Sequence, residues 1–238
     1  MRFAIISDIH SNIVALNEVL ASIAKQQINQ IFCAGDLVGY APFPNEVIDL
    51  IRDKNIPTVM GNYDDGIGNM RFICGCYYKD EKDEALGQES IAWTKSHTSE
   101  ENKAFLRSLP KEIRLNMASK RILIVHGSPF RFNEYITEEI EQDYAEKLLR
   151  ESNSDILICG HTHIPFRLVI GDQMIINVGS IGKPKHGDPR AVYAIVEIGD
   201  RFSIQFEYVH YNYESVVRAI EESELPNEFA QLLREGIG

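Results

Sequence analysis

Apolar runs of four to seven residues alternate along the chain with stretches whose apolar positions recur at helical spacing, a pattern that predicts an α/β architecture. "RFAIIS" reads as a buried strand, and "SNIVALNEVLASIAKQQ" after it as a helix with Ile13, Leu16, Leu20 and Ile23 on one face and Ser11 as its N-cap. "QIFCAG" predicts a second strand, "NEVIDLIRDK" a helix and "PTVMG" a third strand, which ends in a tight turn at Gly61–Asn62. Segments 81–97 and 100–108 read as helices, and "EIRLNM" with "KRILIVHG" as a strand pair across the turn "ASK". An amphipathic helix is expected over 137–152, leading into the strand "DILICGH". "FRLVI" and "MIINVG" turn at Gly171–Asp172, the Gly/Pro-rich loop "SIGKPKHGDPR" follows, and "AVYAIVEI" and "FSIQFEYV" form a hairpin at "GD". From Tyr213 the tail reads as two short helices broken at Pro226. The change from helix-linked strands to hairpins in the last third suggests a second, more antiparallel sheet packed on the first. With no repeat or linker-like stretch, residues 1–238 are expected to form a single domain.

Composition narrows the function classes. The 238 residues carry 35 acidic against 24 basic side chains, a formal net charge of −11, which argues against non-specific nucleic-acid binding. It leaves a small phosphate-bearing substrate open, because bound cations reverse the field locally. No run approaches the roughly 20 apolar residues needed to span a bilayer, and the N-terminal apolar run is too short for a signal peptide, so a cytoplasmic protein is expected. Cys33 and Cys159 lie in apolar strands, while Cys74 and Cys76 stand in "CGC", too close for a relaxed disulfide. That pair leaves a dithiol or a soft-metal pair open.

Five times, an apolar strand ends in a Gly- or Ser-containing turn that presents a metal-ligand residue type. These are Asp8 and His10 in "SDIH", Asp36 in "GD", Asn62 in "GN", His126 in "HG", and His161 and His163 in "GHTH". Residues just past the carboxyl ends of strands converge on a common crevice in α/β sheets. Each motif alone is weak; together they place four of the seven histidines and three Asp/Asn residues on one rim, which predicts a metal site.

In that order the motifs resemble the calcineurin-like metallophosphoesterase superfamily, over nearly the whole chain. The loop "NVGSIGKPKHGDPRAVYAI" resembles the Gly-Ser-Gly-Pro-Arg segment of small bacterial and archaeal phosphodiesterase-type members. The resemblance implies a four-layer αββα sandwich of two mixed β-sheets flanked by helices. It also implies two divalent transition metal ions: one held by Asp8, His10, Asp36 and His163, the other by Asp36, Asn62, His126 and His161, with Asp36 bridging. Mixed nitrogen and oxygen ligation suits Mn, Fe, Co, Ni or Zn. The implied activity is a phosphoesterase in which water acidified between the metals attacks phosphorus in line. A phosphoprotein or dinucleoside-polyphosphate phosphatase is an alternative on the same site, and a non-catalytic interaction scaffold an alternative of another class.

The chain departs from the family pattern after Gly61–Asn62, where many members carry a histidine as the proposed leaving-group acid. Here the residues are Tyr63 and Asp64. A phenol with a pKa near 10 is a poor proton donor at neutral pH. Three roles stay open for Tyr63: shaping or hydrogen-bonding the substrate, packing while Asp64 caps the turn, or acting as the acid. His97 and His186 are further acid candidates. The missing histidine predicts a preference for leaving groups that depart with little protonation, such as phosphodiesters of nucleotides or aryl alcohols, and phosphoanhydrides. Asn12 and Arg190 are candidate substrate contacts, with Lys183 and Lys185 beside them, and "FICGCYYKDE" is a candidate pocket wall or lid. The expected partner is a small phosphate ester, and the oligomeric state is open.

Overall fold

The computed structural model describes residues 1–72, 75, 80–199 and 202–237. Its strands are β1 (Arg2–Ile6), β2 (Ile31–Cys33), β3 (Ile113–Met117), β4 (Lys120–Ile124), β5 (Ile156–Cys159), β6 (Phe166–Ile170), β7 (Gln173–Asn177), β8 (Ala191–Ile198) and β9 (Phe202–Val209). The helices are α1 (Ile13–Lys25), α2 (Pro44–Asp53), α3 (Asn62–Gly68), α4 (Glu81–His97), α5 (Glu100–Ser108), α6 (Gln142–Glu151), α7 (Tyr213–Glu221) and α8 (Glu228–Glu235). Two mixed sheets form, in the orders β2-β1-β8-β9 and β3-β4-β5-β7-β6.

Strand periodicity explains the layering. Along β1, Phe3 and Ile5 point into a core between the sheets, where they join Ile122, Ile124, Ile156, Ile158, Ile176 and Val196. Ala4 and Ile6 point the other way, into a core shared with α1, α2, α7 and α8. On β5, Leu157 and Cys159 face away from the inter-sheet core toward Leu148 and Leu149 of α6. Because both faces of these strands are buried, their sequences read as continuous apolar runs rather than alternating ones. The result is the expected αββα sandwich, and among the described residues no helix is long and apolar enough to cross a membrane.

Three local expectations differ from what forms. "PTVMG" makes only an isolated bridge, Cys33 to Thr58. Pro57 has no N–H to extend the ladder, and the Met60 N–H leaves it for the Pro110 carbonyl at 2.7 Å. The helix expected over 137–152 spans Gln142–Glu151, because residues 137–140 close a separate turn through the Ile140 N–H and the Thr137 carbonyl. The N-cap of α1 is Asn12, not Ser11: the Asn12 side chain accepts the Ala15 N–H at 3.0 Å, while the Ser11 hydroxyl accepts the Gly39 N–H. Cys74, Cys76 and most of the candidate wall "FICGCYYKDE" lie outside the described residues.

Candidate metal centre

All the strand-end residues open onto one crevice. Asp8 and His10 follow β1, Asp36 follows β2, His126 follows β4, and His161 and His163 follow β5. Asn62 is the first residue of α3, so the Gly-Asn "turn" is the start of a helix. Five of these residues hold left-handed backbone: Asp8 (φ 52°), His10 (47°), Asp36 (55°), His161 (69°) and His163 (64°). Non-glycine residues adopt that region at a cost of about 1–3 kcal/mol, and such strain gathers where a side chain must be aimed. Here it swings successive polar side chains off the strand direction and into the crevice. Glycines pack where a side chain would collide with the ligands: a Cβ on Gly61 would strike the Asp36 carboxylate, and one on Gly160 would strike Asp8 and Ser7.

Two buried groups result, Asp8 with His10 and His163, and Asp36 with His126 and His161; in each, the potential ligand atoms lie within 4.8 Å of one another. Three imidazoles are oriented through backbone carbonyls, which accept from Nδ1: His10 to Val38 (3.0 Å), His126 to Ala34 (2.8 Å) and His163 to Lys183 (2.5 Å). A carbonyl can only accept, so the proton sits on Nδ1 and Nε2 turns inward. There the His10 and His163 Nε2 atoms stand 3.2 Å apart, and His163 Nε2 is 3.2 Å from Asp8 Oδ1. His126 Nε2 is 3.0 Å from Asn62 Oδ1 and 3.3 Å from Asp36 Oδ2. Among the described residues, neither Asp8 Oδ1 nor His161 Nε2, both buried, has a hydrogen-bond partner. Acceptors facing acceptors in a buried space are what a cation satisfies, so these residues fit divalent metal binding. Asp36 Oδ2 lies between the groups, 3.7 Å from His10 Nε2 on one side and 3.3 Å from His126 Nε2 on the other.

Electrostatics agree. Burial opposes charge on His126, yet Asp36 and Asp8 outweigh it and push the imidazole up to about 10. Burial takes His161 and His163 down to about 3, keeping them neutral. Burial would raise Asp8, but His163 and His10 hold it well below the usual carboxylate range. The site therefore keeps its carboxylates ionised and draws positive charge inward.

Tyr63 and Asp64 sit beside these groups in different ways. Asp64 faces backbone amides, accepting the N–H groups of Asp36, Leu37 and Gly61 at 2.9 Å each. Through these contacts Asp64 fastens the turn that carries Asp36 to the start of α3. Burial and the Asp36 charge push its carboxyl up to about 7, with the Gly61 and Leu37 amides working against them. The Tyr63 N–H donates to Asp36 Oδ1 at 2.8 Å. Its ring lines the cavity, edge-on to His10 (5.4 Å between centroids) and tilted on Tyr40 (4.8 Å).

Both candidate substrate contacts are placed elsewhere. Asn12 is fully buried, with its oxygen on the α1 cap and its amide donating to the Gly182 carbonyl and the Tyr211 hydroxyl. Arg190 is paired with Asp188 at 2.6 Å and lies over Tyr208, away from the cavity. His97 stacks on Trp93 and His186 packs against Tyr208, so neither lines the cavity. Lys183 and Lys185 do line it, along with Tyr40, Leu86, Phe229 and Leu232, in a space of about 180 Å³. Nothing in the sequence marks Phe229 or Leu232 as functional, because apolar residues on a short amphipathic helix read as core. Ser7, whose hydroxyl donates to Asp8 Oδ2 at 2.6 Å, was legible only as the residue before the first ligand.

Comparisons with known proteins agree with this geometry. A family model, the calcineurin-like phosphoesterase superfamily domain, matches residues 1–201. An uncharacterized protein of Methanocaldococcus jannaschii is 35% identical, covering 94% of this chain and 93% of its own length. The crystal structure of a metallophosphoesterase from Sphaerobacter thermophilus superposes with a TM-score of 0.78 at 30% identity, over 100% of this chain and 99% of that one. A hypothetical protein from Pyrococcus horikoshii shares the fold with a TM-score of 0.86 at 24% identity, over 99% and 98% of the two chains.

Proposed function

The chain belongs to the calcineurin-like phosphoesterase superfamily, and from that membership we propose that it is a dinuclear metal-dependent phosphoesterase acting on phosphodiester or nucleotide-type substrates. The observation that carries the reading is the position of Asp36 Oδ2, which belongs to the group with His126 and His161 and also faces His10 of the other group. An anionic carboxylate there offsets the repulsion of two dications, and the mixed nitrogen and oxygen donors suit Mn, Fe, Co, Ni or Zn. When bound, two such ions supply an activated water and a Lewis-acid clamp for in-line displacement at phosphorus. The chain's own residues do the rest. Carbonyl-anchored His10, His126 and His163 hold fixed orientations, while Asp64 holds the Asp36 backbone and the Tyr63 N–H holds the Asp36 carboxylate. Tyr63 forms an aromatic wall beside His10, and in this reading it shapes the substrate.

In this reading the enzyme works in the cytoplasm on small phosphate esters, in keeping with a net charge of −11 that suits neither nucleic-acid chains nor anionic membranes. The test is a panel of phosphomonoesters, phosphodiesters, cyclic nucleotides and dinucleoside polyphosphates, with Mn, Ni, Fe and Zn each supplied and Asp36→Asn as control. Metal-dependent hydrolysis abolished by Asp36→Asn is the expected result. A metal-loaded protein that hydrolyses no phosphoester would overturn the reading in favour of a scaffold.

A further inference from the structure

The cavity above the metal ligands has a second half that those ligands do not use. One side is basic. Lys183 and Lys185, from the loop after β7, face the cavity, and Lys183 Nζ lies 4.2 Å from the centroid of the Tyr40 ring. Among the described residues neither ammonium forms an ion pair or a hydrogen bond through its side chain. Asp83 is the acidic residue of the wall outside the ligand set, and its charge is felt at both lysines.

The other side is apolar, built from Leu86 of α4, Phe229 and Leu232 of α8, and Ile237 beyond it. Phe229, Leu232 and Ile237 lie past residue 201, where the match to the family model ends. Ile237 is 51% exposed, which places it at the cavity rim. The two sides are tied together: the Gly187 N–H of the basic loop donates to the Gly236 carbonyl at 2.9 Å.

We propose, resting on the phosphoesterase reading above, that this second half is a subsite for a nucleoside di- or polyphosphate. One phosphoryl group would sit at the metal ligands, a further phosphate on Lys183 and Lys185, and the nucleoside against the apolar wall of α8. A simple diester brings a single negative charge to the metal ligands and leaves neither lysine with a direct ion-pair partner among the described residues. A second phosphate supplies one, and lysine is a natural point-charge partner for phosphate. Phe229, Leu232 and Ile237 offer the apolar contact that a base requires.

The experiment is calorimetric titration of the manganese-loaded protein with three probes: ADP carrying a methylene in place of its bridging oxygen, AMP, and methylenediphosphonate. The ADP analogue is expected to bind at least about tenfold tighter than AMP, the size of one charge-assisted contact. Lys183→Met/Lys185→Met should erase that advantage and Lys185→Arg should keep it. Leu232→Ala/Ile237→Ala should weaken both nucleotides and leave methylenediphosphonate unchanged. Methionine keeps the apolar stem, and the hydrogen bond that orients His163 goes to the Lys183 backbone, which the change preserves. Should the double variant not fold, Lys185→Met alone should show a partial loss. No advantage for the ADP analogue, or an advantage that survives Lys183→Met/Lys185→Met, overturns the proposal. Manganese content and hydrolysis of bis(p-nitrophenyl) phosphate on the same samples separate the two readings. Hydrolysis without the ADP-analogue advantage removes the subsite alone, whereas absence of both metal and hydrolysis removes the phosphoesterase reading and the subsite with it.

Discussion

Asp64 accepts the backbone N–H of Asp36 at 2.9 Å, and with its remaining capacity it takes the N–H groups of Leu37 and Gly61. One buried carboxylate thus locks the turn that presents Asp36 to the start of the helix that presents Asn62. Asp64→Ala would leave three buried donors unmet, at about 1–3 kcal/mol each, so a loss of about 3 kcal/mol or more is expected in urea unfolding. Metal affinity should fall by about 10–100-fold, the usual effect of removing a group that orients a ligand. An unchanged unfolding midpoint and unchanged metal content in Asp64→Ala would remove Asp64 from this role.

Metal removal should destabilise the folded chain. The His10 and His163 Nε2 atoms face each other at 3.2 Å, and Asp8 Oδ1 is buried beside them, so this half of the site sets acceptors against acceptors. A metal supplied at about 100 times its dissociation constant adds about 2.7 kcal/mol by mass action. Scanning calorimetry of the metal-loaded protein, before and after chelation, should show a lower transition temperature for the stripped sample. If chelation leaves the transition where it was, these residues hold no metal.

Tyr63 should prove to be a wall and not an acid. Its ring packs between His10 and Tyr40, and a Cβ on Gly39 would strike it. Tyr63→Phe keeps that packing, so kcat should fall by less than about 10-fold, well short of the 10²–10⁴ that a general acid contributes. Across a series of aryl esters the wild-type rate should drop as leaving-group pKa rises, and Tyr63→His should flatten that dependence. A wild-type rate indifferent to leaving-group pKa would show that an efficient acid is already present.

Much of this was legible in sequence, for identifiable reasons. The strands β1, β4, β5 and β8 are buried on both faces, so their apolar runs are unambiguous, and the metal-ligand residue types follow their ends directly. What the sequence hid depends on tertiary hydrogen bonding. Asn12 reads equally as a phosphate contact or as part of the first turn of α1, and its amide is spent on Gly182 and Tyr211, distant in sequence. Arg190 and Lys183 looked equivalent as loop cations until Asp188 claimed the arginine. The start of α3 reads as a turn because the whole seven-residue helix, "NYDDGIG", carries two glycines and no helical apolar period. The helix is held instead by Asp64 and by contact with α5.

Far from the crevice, Arg121 and Asp155 pair in a two-point contact at the beginning of β4 and β5. Arg121 Nη2 is 2.6 Å from Oδ1 and Nε is 3.0 Å from Oδ2, and the Arg121 N–H also donates to Oδ2 at 2.8 Å. These bonds hold the Asp155 carboxyl down at about 2, against an ordinary value of 3.8. A carboxyl whose pKa is depressed by folding adds stability above its unfolded pKa and loses it as pH falls through the folded one. Arg121→Met should therefore cost stability in full at pH 6, with the gap to wild type closing between about pH 4 and pH 2 as Asp155 takes up a proton. Arg121 is 48% exposed along its side chain, so solvent screening keeps the gap small. Urea unfolding at several pH values, on chelated samples so that acid release of metal does not intrude, measures it. Because the pair lies at the opposite ends of β4 and β5 from His126 and His161, hydrolysis at neutral pH should be unaffected by the same change. A gap that stays constant from pH 6 to pH 2 would mean that the carboxylate of Asp155 contributes nothing through its charge.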